Sequence, residues 1–288
     1  MPMPLVFLQG PWKLTMGLSA LDPDDWLWVD ARFPAETVER AALVAARAEE
    51  VHAMLPEAEP AARELLATVQ DFMARRHPER AVLAPDGRLP PLLALASLAQ
   101  EDFCLMQRRG DDGQHALTGA ILCFPQHWRL RDKIGRPLAE IHAPVPGFEA
   151  RLGGPAERFF ANLQVERPVW RANWGLVEDT ELFHPHKRDP IPDLSAESAG
   201  KRLWLRVERQ TLRRLPETGA VVFTIRTLIE PLAEAVRDPA VARAMADRIR
   251  EMESGMAAYK GIPLMREPVL AYLDRQAEQT GGAAGTLA

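Results

Sequence analysis

The sequence predicts an α+β fold: a five-stranded antiparallel sheet flanked by helices. Five short runs rich in Val, Leu, Ile, Phe and Trp lie between residues 103 and 229. Two pairs of them are joined by the hairpin-type connections RGDDGQ and LPETG. Apolar spacings of three and four dominate on either side of that region, which is a helical pattern.

Composition is that of a globular domain, with 47% apolar and 26% charged residues. A net charge of −5 leaves no basic footprint for nucleic acid. No apolar run approaches the roughly 18–20 residues that a membrane-spanning helix needs. The start MPMPLVFLQG has neither a basic n-region nor a small-residue cleavage site. A cytoplasmic location is therefore expected. Cys104 and Cys123 form no CxxC and sit in apolar runs, so both are expected to be small buried hydrophobes in a reducing compartment.

Residues 1–100 are expected to form an N-terminal arm and helices that pack on the core. The arm carries Trp12, Trp26 and Trp28, which anchor it by burying aromatic surface. A helix over 34–55 places Val38, Ala41, Ala45, Ala48, Val51 and Leu55 on one stripe, and Pro56 ends it. A second helix over 60–76 groups Leu65, Leu66, Val69, Phe72 and Met73, with proline in its first turn. PDGR at 85–88 reads as a turn, and a buried helix is expected over 90–102.

Residues 101–231 are expected to form the core. FCLMQR (103–108) and ALTGAILCFP (116–125) are its first two strands. A helical and irregular stretch follows, with short helices at LAEIHAPVP and PAERFFANLQ. VWRANWGLVE (169–178), KRLWLRVERQTLRR (201–214) and GAVVFTIRTLI (219–229) complete the sheet, with a long polar loop at 184–200 before the fourth strand. Two strands, a helical crossover and three strands make the layout of a PAS domain, with helices on one face. Residues 232–276 are C-terminal helices. There Val241, Met245, Ile249, Met252 and Met256 form a stripe over 239–259 that reads as core. Residues 277–288, including GGAAG, read as a disordered tail.

IGRPLAEIHAPVP, ERPVWRANWGL and LRVERQTLRRLPETGAVVFTIRT resemble the haem-dependent oxidative N-demethylase family, and the resemblance runs from GLSALDPDDW to about Pro231. It implies a haem b-binding PAS fold that oxidises a small secondary amine such as dimethylamine with O2. Electrons would come from NADPH through FMN and a 2Fe-2S centre. This chain has no GxGxxG and no cysteine cluster, so those centres are expected on a reductase subunit or protein, in a homo- or hetero-oligomer. The alternative is a haem-PAS sensor or binding protein without turnover.

Among seven histidines, His142 alone combines an apolar approach (Leu138, Ile141) with a rigid exit, Ala143-Pro144-Val145-Pro146. Read without the resemblance, such a histidine is more often a core residue. With the resemblance it becomes the expected axial ligand, because haem PAS sensors take theirs from the helical stretch between the second and third strands. Strand parity puts Trp204, Arg206, Glu208, Gln210 and Leu212 on one face, and Val222, Thr224 and Arg226 together on the next strand. Glu208, Arg226 and Arg206 are thus the catalytic candidates: a guanidinium to stabilise bound O2 and a carboxylate for the amine. The bland alternative is a solvated face of cross-strand ion pairs. Arg171, Asn173, Trp174, Lys133 and Arg136 are candidates for haem-propionate binding.

Overall fold

The computed structural model describes residues 3–8, 10–80, 89–110, 113–186 and 191–278. The turn expected at 85–88 and the GGAAG tail lie outside the described residues. The strands are β1 (Ser19–Ala20), β2 (His52–Met54), β3 (Asp102–Arg109), β4 (Gln114–Ile121), β5 (Val169–Val177), β6 (Trp204–Arg214) and β7 (Val221–Pro231). They form one sheet in the order β1-β5-β6-β7-β3-β4-β2, and every neighbouring pair is antiparallel.

The sheet therefore has seven strands among the described residues, two more than the apolar runs suggest. The extra pair lies at the two edges and comes from the N-terminal region. Each is only two or three residues long, too short to carry an alternation. Such pieces gain their partners from tertiary placement.

The helices are α1 (Phe33–Val51), α2 (Glu59–Arg76), α3 (Pro91–Ala94), α4 (Leu138–Ile141), α5 (Gly154–Asn162), α6 (Ala199–Arg202), α7 (Leu232–Ala235), α8 (Pro239–Glu251), α9 (Ser254–Tyr259) and α10 (Arg266–Glu278). No described helix is long and apolar enough to cross a membrane. α10 carries the C-terminal helices to Glu278, two residues into the stretch read as tail. The helix expected over 239–259 breaks at Met252, whose backbone turns extended, and resumes as α9. All five residues of its apolar stripe are buried, as a core stripe should be.

α1 departs most from its periodicity. Val38 is 70% exposed, while Glu36, Thr37 and Arg40 are buried. Burying a guanidinium is tolerated only when its donors are matched. Both Arg40 amino groups are matched, with Nη1 donating to Asp102 Oδ1 at 2.7 Å and Nη2 to the Glu101 carbonyl at 2.6 Å, while its Nε is buried without a partner. The Asp102 carboxylate also accepts from the backbone N–H groups of Cys123 and Phe124, at 2.7 and 2.9 Å. This use of residues 100–102 ends the α3 region early: the expected helix over 90–102 is one α-turn and a 3-10 turn, Leu95–Ser97, before the chain enters β3.

Alternation along β3 divides the core. Phe103 and Leu105, with Ile121 and Val222, pack against the N-terminal helices, Trp26 and Phe72. Cys104 and Met106, with Leu212, Val221 and Ile225, pack against the crossover residues Leu130, Leu138, Phe148 and Phe160. Both cysteines are free and buried. A third cluster seats α8 and α10 against Trp174, Leu176, Leu205 and Val207. Helices therefore cover both sides of the sheet, and the N-terminal ones are built into it through its edges.

Candidate functional site

The β5–β6 register builds the floor of the site. Arg171 lies opposite Gln210, and Asn173 lies opposite Glu208. Directly opposed residues share a face, and so do residues two apart. The four side chains thus make a polar square on a face whose neighbours are Leu212, Ile225 and Phe223. Gln210 Nε2 donates to Glu208 Oε2 at 3.0 Å.

Arg171 makes no ion pair among the described residues, and its Nε is buried without a hydrogen-bond partner. Burial lowers its pKa against the opposing attraction of Glu208. Lys133, from the crossover, lies over the Trp128 ring at 4.5 Å. Burial pulls its pKa down too, and the negative charges around it, Glu208 among them, pull the other way.

His142 closes α4. Its Nδ1 lies 2.9 Å from the Leu138 carbonyl, which can only accept, so the proton belongs on Nδ1. The ring stacks on Phe148 with centroids 4.3 Å apart and planes 12° off parallel. Burial, aided by the positive charges of Lys133 and Arg171, pushes its pKa down to about 4, although the bond to Leu138 opposes this. At neutral pH the ring is uncharged. Nε2 then carries the lone pair and has no hydrogen-bond partner among the described residues.

The C-terminal helices contribute two residues that the sequence reading passed over. Tyr259 is 41% exposed, yet burial of its hydroxyl and the Glu208 charge raise its pKa. Lys260 Nζ donates to Asn173 Oδ1 at 2.8 Å and to the Trp174 carbonyl at 2.5 Å. Burial pushes its pKa down to about 8 against the attraction of Glu208. The pair ends a stripe that reads as core, and no spacing points from it to a strand some ninety residues earlier.

The structure brings together His142, Lys133, Arg171, Asn173 and Glu208. Trp174 is adjacent but buried, edge-on to Phe7 at 5.5 Å, and offers the site its carbonyl. Arg136 is exposed, and its backbone carbonyl accepts from Leu117 N at 3.1 Å. Arg206 and Arg226, expected to face the site, are placed elsewhere. Arg206 is fully buried and donates to the carbonyls of Leu182 and Phe124, at 3.2 and 2.7 Å. Arg226 is fully buried between Asp30 and Glu36, at 2.7 and 2.8 Å. Register accounts for Arg226: it lies opposite Arg209 while Glu208 lies opposite Thr227, so Arg226 faces the N-terminal arm, away from Glu208; Arg206 reaches loop carbonyls instead.

Asp179, Glu181 and His184 bring three potential ligand atoms within 4.8 Å of one another, and His184 Nε2 is 3.1 Å from Asp179 Oδ1. A recess of about 300 Å3 opens between α2 and α3, lined by residues such as Arg63, Leu66 and Gln70. Its lining holds neither histidine nor cysteine.

Residues 17–270 match the family described as haem-dependent oxidative N-demethylase, alpha subunit-like. The chain belongs to that family. The match takes in the arm from Gly17 onward, the whole sheet, the crossover bearing His142, and α9 with Tyr259 and the following Lys260. The N-demethylase family is haem-dependent by description, and its alpha-subunit label implies a multi-subunit assembly.

Proposed function

We propose that this chain holds haem b through His142 Nε2 and oxidatively demethylates a small secondary amine of the dimethylamine type. The observation that carries the reading is a neutral imidazole, its Nδ1 proton fixed by a carbonyl and its Nε2 unpartnered, in electrostatic contact with the unpartnered Arg171 guanidinium. A fixed Nδ1 proton is what makes a histidine a good axial ligand. The donor set fits the rest of the group: Arg171 and Lys133 form no salt bridge among the described residues, Glu208 acts on both without pairing with either, and the two cations suit the haem propionates. The inner strand order β5-β6-β7-β3-β4, with the helical crossover between β4 and β5, supports a PAS-like core.

When bound, haem iron supplies O2 activation once two electrons arrive. One oxygen atom of O2 enters a methyl C–H bond of the amine, and the other leaves as water with two protons. The carbinolamine product then breaks its C–N bond to give formaldehyde and the demethylated amine. This chain's residues bind and orient. Glu208 accepts the amine N–H, and Gln210 keeps one oxygen of that carboxylate engaged. Phe148 holds the His142 ring plane. Electrons come from a separate reductase subunit or protein carrying NADPH, FMN and 2Fe-2S sites.

The test is turnover of dimethylamine by haem-loaded protein supplied with a reductase and O2. Formaldehyde should appear in step with O2 consumption, and Glu208→Gln should lower kcat/KM by about 10–100-fold. An amine that shifts the visible spectrum without releasing formaldehyde would assign the site to binding or sensing instead.

A further inference from the structure

Lys260 follows α9 in the C-terminal addition and reaches back to β5. An ammonium group has three N–H donors and no acceptor. Because Nζ takes Asn173 Oδ1, the carboxamide orientation is fixed, and Nδ2 must point away from Lys260. Nδ2 donates to no described residue, and Asn173 keeps accessible surface. Lys260 itself uses two of its three donors. Two residues back on the same face, the Arg171 Nε is buried and unmatched. Three cations, Lys133, Arg171 and Lys260, all feel the Glu208 carboxylate, with Asp132 acting on Lys133 as well. Surplus positive charge together with oriented, unmatched donors calls for a ligand that brings anionic oxygen.

We propose that Lys260 is a positioning residue of this site: by fixing the Asn173 carboxamide it presents Nδ2, and its own third N–H, to a carboxylate of the bound ligand. The proposal rests on the haem reading, in which those carboxylates are the propionates. It makes the C-terminal helices part of the site as well as part of the core.

The experiment titrates protein freed of haem with hemin and with hemin dimethyl ester, whose carboxylates are blocked. Lys260→Met should weaken hemin binding about tenfold and leave ester binding unchanged, with the melting temperature close to wild type. Asn173→Leu should show the same selectivity with a smaller loss, and Lys260→Arg should recover part of it. Equal affinities of wild type and Lys260→Met for hemin, or equal losses for hemin and ester, would overturn the proposal. Should Lys260→Met not fold, Asn173→Leu carries the same comparison. Wild-type protein that takes up neither porphyrin overturns the haem reading itself, and this proposal with it.

Discussion

Arg226→Met separates architecture from chemistry. Arg226 is completely buried, with Nη2 on Asp30 at 2.7 Å, Nη1 on Glu36 at 2.8 Å and a further bond to the Thr227 carbonyl. Methionine fills similar volume but leaves the two carboxylates facing each other. Asp30 is 28% exposed and keeps bonds from Gln100 and Arg32. Burial raises its pKa, but Arg226 and these bonds together hold it below the ordinary value. Glu36 is 5% exposed and keeps only Gln100 Nε2, at 2.8 Å. Breaking a buried pair by removing one partner costs about 3–5 kcal/mol, and Asp30's access to water favours the lower half of that range. At about 2–4 °C per kcal/mol the melting temperature should fall by roughly 6–15 °C. Thermal and urea unfolding by circular dichroism measure the loss, and Glu36→Gln in the Arg226→Met background should restore part of it. The Soret band of haem-loaded protein should not move. A loss under about 1 kcal/mol, or a shifted Soret band in a folded variant, would refute the structural assignment and return Arg226 to the site.

Protein free of haem should lose stability as pH falls from about 6.5 to about 4. His142 stays neutral when folded, whereas the unfolded chain already binds its proton; the full stability is present above pH 6.5 and about 3 kcal/mol is lost by pH 4. His142→Phe should flatten that part of a stability–pH curve measured by urea titration. Met245→Ala, in the fully buried stripe of α8, should cost about 2–5 kcal/mol in urea unfolding and leave the haem spectrum unchanged.

The five long strands were legible because each alternates or runs apolar and ends at turn residues. The edge strands β1 and β2 were not, since two or three residues show no period. α1 was misread at Val38 because its buried side is polar: Glu36 and Arg40 are held by Arg226 and Asp102, partners far away in sequence. His142 stood out by its apolar approach and proline exit but became a ligand candidate only through the family resemblance, Glu208 came from strand parity, and Arg171 was a candidate for propionate binding. Parity grouped Val222, Thr224 and Arg226, but only the inter-strand register shows that Arg226 lies opposite Arg209, on the face away from Glu208, and Arg206 turns to the carbonyls of Leu182 and Phe124. Lys260 had no local signal at all, because its place depends on how α9 folds back onto β5.

The central claim is that His142 Nε2 binds haem iron. Protein loaded with hemin, reduced and examined by visible and resonance Raman spectroscopy, should show a histidine-ligated haem. His142→Ala should lose that signature and most of its haem, and added imidazole should restore the band. A His142→Ala protein that keeps full haem with an unchanged spectrum would contradict the claim.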